Sequence, residues 1–384
     1  MKHSFKRYCF SALLVVGLTA EVCAQADRIN IVTTAVPFLR ISPDARAGGM
    51  GDMGVATSAD VSSQYYNVAK YPFAKTPYGI GLNYTPWLKD LGLGDVYLAS
   101  MSGYYKLDEL QAISASLRYF SLGRIQFTDA LGNDLNEGRP REMGMDLGYS
   151  RKLSDQLSLG IALRYIHSNL AAGAPTSGSA YKPGTAVSGD LGVYYNGANE
   201  EGQGWSIGAA FSNLGSKIGY TSDATQRNFI PANLGIGVGH TWVSNEVHKV
   251  SLNGEFNKLL VPAPPGENAT QEDFDKYNSS GVVNGWMKSF GNDALAYSAG
   301  VEYVYNDQFS LRGGYYGDSR SMGKRSFFTM GVGINYNVFG INFSYLMPSG
   351  SGVNRNPLSN TLRFSLLFNL GGDTEGGGNS SLSY

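Results

Sequence analysis

The chain has 384 residues, of which only 16% are charged, with 50 glycines, 25 tyrosines, 18 phenylalanines and a formal net charge of −1. Beyond the leader no segment approaches the roughly eighteen consecutive apolar residues of a membrane helix, so helical membrane architecture is excluded. The near-neutral balance leaves no electrostatic footprint for nucleic acid, and the composition points to one repetitive all-β object.

Lys2, Lys6 and Arg7 precede an apolar run from Tyr8 to Leu18 and the sequence Val22-Cys23-Ala24-Gln25-Ala26. This is the charged, apolar, small-residue order of a secretory signal peptide over residues 1–26, cleaved after Ala24 or Ala26. Glu21 and Val22 do not give Cys23 the small-residue context of lipid attachment. Cys9 and Cys23 both fall in this leader, so the exported chain must be held by hydrogen-bonded architecture without disulfides.

Residues 27–76 read as an N-terminal insert. From Phe38 to Tyr71, FLRISPDARAGGMGDMGVATSADVSSQYYNVAKY shows no sustained two-residue alternation. Ser42 is expected to cap a short helix with Pro43 at its first position and Gly48 or Gly49 at its end. Asp60 or Ser58 would start a second, ending near Asn67. Asp44 and Arg46 are candidates for polar contacts with inward-facing residues such as Arg118, Arg164 or Arg363. Gly49 to Gly54 spells the dinucleotide fingerprint, but no strand precedes it, no helix follows and no ribose-binding acid stands about twenty residues on. Gly48, Gly49 and Gly51 are therefore read as places of close backbone approach, and no cofactor is expected.

From residue 77 to 370 the polarity alternates in segments of roughly ten residues separated by turn signals, the pattern of a transmembrane β-barrel. In FFTMGVGINYNVF, Phe328, Met330, Val332, Ile334, Tyr336 and Val338 oppose Thr329, Gly331, Gly333, Asn335 and Asn337. The first set suits lipid and the second a tight polar interior. Strands are expected near 78–86, 95–107, 111–122, 141–152, 157–169, 185–196, 204–215, 233–243, 248–260, 294–306, 309–318, 327–338, 340–347 and 360–370. The fold class is thus an all-β transmembrane antiparallel barrel of about 14 strands, and a ring that wide cannot be filled by its own side chains. The insert is expected to plug the lumen.

Short connections such as Asp108-Glu109 and Asn306-Asp307-Gln308 alternate along the chain with long ones such as 123–140 and 261–293. Short periplasmic turns and long extracellular loops give this order, and an even strand number then puts both termini in the periplasm. A soluble sandwich also alternates in polarity but does not sort its connections this way. Pairing the last strand with the first removes both exposed edges, and the Gly/Ser-rich residues 371–384 read as a flexible periplasmic tail.

The loop 261–293 carries Phe274, Tyr277, Trp286 and Phe290 beside Glu267, Glu272, Asp273 and Asp275. Loops longer than about fifteen residues are commonly functional, so these aromatics either anchor a partner or pack over the barrel mouth. Beyond the leader only His167, His240 and His248 remain, without acids or cysteines at ligand spacing, so no metal site is expected. No nucleophile motif is present, and no catalytic residue is assigned.

The segment Pro43 to Gly51, PDARAGGMG, with SSQYYNVAKY after it, resembles the N-terminal signature of the PorV (LptO) family of the type IX secretion system, within the wider group of FadL-like barrels. Asn67 and Ala69 match the family's Asn-Pro-Ala, with Val68 in place of the proline. The resemblance covers essentially the whole mature chain. It implies a fourteen-stranded, non-enzymatic outer-membrane protein without cofactor, surrounded by outer-membrane lipid. It also implies partners: the type IX translocon barrel, the C-terminal signal domains of cargo, and the surface attachment complex to which cargo is delivered. The alternative function is FadL-like transport of hydrophobic small molecules; a general porin would need an open water path.

Overall fold

Alternation of outward apolar with inward small or polar residues is what rolls this chain into a ring. The computed structural model describes residues 31–88, 92–129, 131–172, 181–221, 227–266, 268–348 and 360–371. The expected leader, the tail beyond Gly371 and part of the long loops lie outside them. The strands are β1 (Tyr78–Pro86), β2 (Val96–Lys106), β3 (Gln111–Leu122), β4 (Arg141–Lys152), β5 (Leu157–Asn169), β6 (Gly184–Asn196) and β7 (Gly204–Gly215). They continue with β8 (Asn233–Ser244), β9 (His248–Leu259), β10 (Leu295–Tyr305), β11 (Phe309–Asp318), β12 (Ser326–Tyr336), β13 (Phe339–Pro348) and β14 (Leu362–Leu370). Each runs antiparallel to its neighbours in sequence. β14 pairs with β1, Tyr78 opposite Leu370 and Tyr84 opposite Phe364, and so closes the barrel. Closure leaves no unpaired strand edge facing lipid, which a bilayer would not tolerate.

The outer face carries the expected apolar residues. In β12, Phe328, Met330, Val332 and Ile334 are exposed while Thr329 is buried; in β5, Leu159, Ile161, Leu163 and Tyr165 point out while Ser158 and Arg164 point in. His240 and His248 sit on the outer face near the short-turn end among aromatic rings, His240 between Trp205 at 4.6 Å and Trp242 at 4.3 Å. Tight turns close the same end. Asn306 and Asp307, with φ of 51° and 52°, take the left-handed backbone of a type I′ hairpin turn, which Asn and Asp tolerate.

At the opposite end the long connections add structure of their own. A two-stranded ribbon pairs Ile125–Thr128 with Asp134–Gly138, and a second pairs Ile218–Gly219 with Arg227–Asn228. The connection after β9 folds into two helices, α2 (Gln271–Ser279) and α3 (Val282–Lys288), following α1 (Ala45–Gly48) in the insert.

The insert runs the length of the lumen. Near the long-loop mouth the Val32 N–H donates to the Ser321 carbonyl at 2.9 Å and the Ala35 N–H to the Phe229 carbonyl at 3.0 Å. At the other end the Lys106 N–H donates to the Pro77 carbonyl at 2.7 Å. β1 therefore starts, and β14 ends, at the short-turn side, whereas residue 31 sits at the long-loop mouth.

Apolar clusters hold both ends of the insert. Val36, Phe38 and Leu39 pack with Val96, Leu98, Phe120 and Ile166 near the long loops, and Val61, Val68, Tyr71 and Ala74 with Tyr104 and Ala112 near the short turns. Each large side chain buried this way contributes about 1.5–3 kcal/mol. Between the clusters hydrogen bonds and ion pairs also tie the insert to the wall.

Candidate functional site

The middle of the insert is fastened by charge. α1 is capped by Asp44, whose carboxylate accepts from the Ala47 N–H at 2.9 Å. The expected cap, Ser42, shares a hydrogen bond with the Tyr66 hydroxyl at 2.6 Å instead. Pro43 accordingly lies before the helix. Arg46, its second residue, grips Glu302 of β10 with two bonds, Nε to Oε1 at 3.0 Å and Nη2 to Oε2 at 2.8 Å. Its Nη1 reaches Asp60 at 2.8 Å and the Ser58 carbonyl at 3.0 Å. Arg312 of β11 closes the cluster on Glu302 at 2.7 Å. Burial opposes the Arg46 charge, yet Glu302 and Asp60 outweigh it and hold its pKa above the usual arginine value.

The candidate contacts with inward arginines resolve differently from expectation. Arg363 pairs with Asp52 at 2.8 Å, not with Asp44. Arg118 donates to the Leu39 carbonyl at 3.0 Å. Arg164 stays within the wall, pairing with Asp146 and, at 2.8 Å, with Asp190. Asp44 remains inside the insert, accepting from the Tyr66 hydroxyl at 2.7 Å as well as from α1.

The glycines allow the backbone to lie against the wall. Gly51 has φ +76°, and a Cβ there would stand 2.5 Å from the Tyr315 carbonyl oxygen. A Cβ at Gly48 would meet the Arg363 guanidinium at 2.5 Å and Ser344 Oγ at 2.8 Å. A Cβ at Gly49 would stand 3.0 Å from the Cα of Gly331. The second expected helix is replaced by two 3-10 turns, Ser63–Tyr65 and Val68–Phe73, with Asp60 accepting from the Ser62 N–H at 2.9 Å. Asn67 caps the later turn through Ala69 at 3.1 Å and donates to the carbonyls of Val55 at 3.1 Å and of Val193 in β6 at 2.9 Å.

Lys70 gives the insert a titratable centre. It is 1% exposed, and its ammonium donates to the Gly54 carbonyl at 2.8 Å and Thr57 Oγ1 at 3.1 Å. Burial pulls its pKa down to about 8, with Asp60 opposing. Between pH 8 and the ordinary value of 10.5 the unfolded chain therefore binds the proton that the folded one has lost, so stability rises with pH in that window. Tyr66 and Tyr71, raised by burial, act in the opposite sense only once unfolded tyrosines ionise, at about pH 10. Melting curves of wild type and Lys70→Met across this range isolate the lysine. The expected result is a wild-type rise that the variant lacks, and parallel curves would refute it.

The outward loop separates its aromatics. Thr270 and Asp273 form a capping box that starts α2. Tyr277 turns inward, its ring 5.7 Å from that of Phe229, and Gly285 brings α3 against the same phenylalanine. Trp286, on α3, is half-buried. Tyr277 thus packs over the mouth, whereas Phe274 and Phe290 face solvent at 40% and 60% exposure. Val283 and Met287 join them on the outer side of α3 at 62% and 67% exposure. Sequence reasoning missed both, although their helical spacing with Phe290 was the available signal.

The family profile for Type IX secretion system protein PorV matches residues 23–266. No curated protein matches the sequence. Among solved structures, the P. putida toluene transporter TodX has a TM-score of 0.53 at 15% identity, covering 85% of this chain and 98% of that one. The Ralstonia pickettii toluene transporter TbuX has a TM-score of 0.51 at 13% identity, covering 85% and 97% respectively. At such identities the likeness is one of fold: a FadL-like barrel of fourteen strands.

Proposed function

Because the chain belongs to the PorV family of type IX secretion system proteins, we propose that this outer-membrane barrel binds the C-terminal signal domain of cargo leaving the translocon and hands it to the surface attachment complex. The family match carries the reading. The architecture supports it with a lipid-facing wall, a lumen occupied by its own N-terminal segment, and long connections gathered at one mouth, where binding residues are commonly placed. Assigning those connections to the cell exterior follows the usual order of bacterial barrels.

Phe274 and Phe290 are the contacts we assign to cargo, with the exposed Val283 and Met287 of the same connection as further apolar candidates. Tyr277 supports the loop from beneath. Replacing both Phe274 and Phe290 with alanine should leave the barrel folded while unprocessed cargo is released into the medium. Immunoblotting of surface and medium fractions checks this, and normal surface display with normal signal removal would refute the assignment. Affinity purification from membranes tests the partners: a very large outer-membrane barrel and proteins sharing a C-terminal domain should be recovered. The alternative, transport of hydrophobic small molecules, rests on the shared fold and would need an apolar pocket continuous with a gap in the wall.

A further inference from the structure

The insert does not fill the lumen completely. A cavity of about 330 Å³ remains between it and the wall at the long-loop end, within the size range of small-molecule sites. Solvent reaches it, since Pro37 on its lining is exposed and Thr34, Arg40 and Ile41 are half-buried.

The lining is cationic. Arg40, Arg118, Arg325 and Arg363 face it, against the carboxylates of Asp52 and Glu255. Arg363 is paired with Asp52 at 2.8 Å and Arg325 with Asp318 at 2.7 Å, and Arg40 has the Tyr316 hydroxyl as a hydrogen-bond partner. Glu255 is occupied too, accepting the Gly54 and Val55 N–H groups, each at 2.8 Å. Among the described residues neither Arg40 nor Arg118 has a carboxylate within ion-pair reach. Arg118 is 2% exposed, and its Nε has no partner. Its guanidinium lies 5.1 Å from the centre of the Tyr65 ring, and Trp87 and Phe120 complete an aromatic flank. A buried guanidinium with open donors is costly, and its planar fork matches a carboxylate or phosphate.

We propose that this cavity binds a small organic anion, its acidic head held by Arg118 and Arg40 and its apolar body against Trp87 and Phe120. The site is independent of the outward loop assigned to cargo.

Isothermal titration calorimetry on the detergent-solubilised full chain tests it, with benzoate, benzyl alcohol and inorganic phosphate as probes. Benzoate should bind saturably, and benzyl alcohol, with the same ring and no charge, at least about tenfold more weakly. Arg118→Gln and Arg40→Gln should each weaken benzoate by about tenfold or more, the effect of losing one charge-assisted contact. Phosphate that binds and is lost in the same variants supports recognition of the head alone; benzoate binding without phosphate binding supports head and ring together. Melting curves confirm that each variant is folded, and Arg40, half-buried at the opening, keeps the test decisive if Arg118→Gln does not fold. The proposal is overturned if benzoate shows no saturable heat with folded wild type, if benzyl alcohol binds as tightly, or if the folded variants bind benzoate unchanged.

Discussion

Gly51→Ala is expected to loosen the insert by about 3 kcal/mol or more and to open an ion path through the barrel. A left-handed backbone costs a residue with a side chain about 1–2 kcal/mol, and here the new Cβ would also stand 2.5 Å from a wall carbonyl. The backbone must then withdraw. It would give up the bond from the Gly51 N–H to Thr329 Oγ1 at 2.8 Å and that from Ser298 Oγ to the Gly51 carbonyl at 2.6 Å, each worth about 1 kcal/mol. Gly92 is the control: its φ is +78°, but nothing lies within 4 Å of a Cβ there. Gly92→Ala should cost only about 1–2 kcal/mol and leave conductance unchanged. Thermal melting and single-channel recording in planar bilayers read both quantities, and equal losses for the two variants would show that the wall contact is immaterial.

Arg46→Met should cost about 3–5 kcal/mol, the range for breaking a buried ion pair by removing one partner. Glu302 would keep only Arg312, and Asp60 would lose its bond to the guanidinium, while α1 would no longer be tied to β10. Arg46→Lys should recover only part of the loss, because an ammonium cannot reproduce the two-bonded grip on Glu302. Adding Glu302→Gln to Arg46→Met should cost less than the two single effects combined, since the carboxylate left uncompensated is removed. Urea titration of wild type, the three single variants and the double variant measures this, and strict additivity would mean that the pair does not act as a unit.

The wall was legible in the sequence because its rule is local. Period-two alternation and turn-forming Asn, Asp and Gly recur along the chain, and all fourteen strands lie where that rhythm places them. The insert obeys no such rule. Its glycine clusters told of close approach, and a Cβ at Gly48, Gly49 or Gly51 would stand within 3.0 Å of the wall, but Arg46 and Glu302 are 256 residues apart and no spacing links them. Even the nearby cap went astray: Ser42 and Asp44 are both good caps, and the choice was made by Tyr66, whose hydroxyl lies within reach of both. In the outer loop, residue type identified the aromatics but not which of them face inward. That depended on Phe229, contributed by a different connection.

The path of the insert also constrains the order in which the molecule can be built. Residue 31 lies at one mouth and residue 77 at the other, so the ring encircles a chain that is covalently continuous with its own first strand. Once Tyr78–Tyr84 has zipped to Phe364–Leu370, the segment can enter only end-first, as a thread through a needle's eye. Laying it down while the seam between β1 and β14 is still open requires no threading. The last strand to be synthesised would then act as a door that closes on the first part of the chain, and the buried ion pairs would serve as its latch.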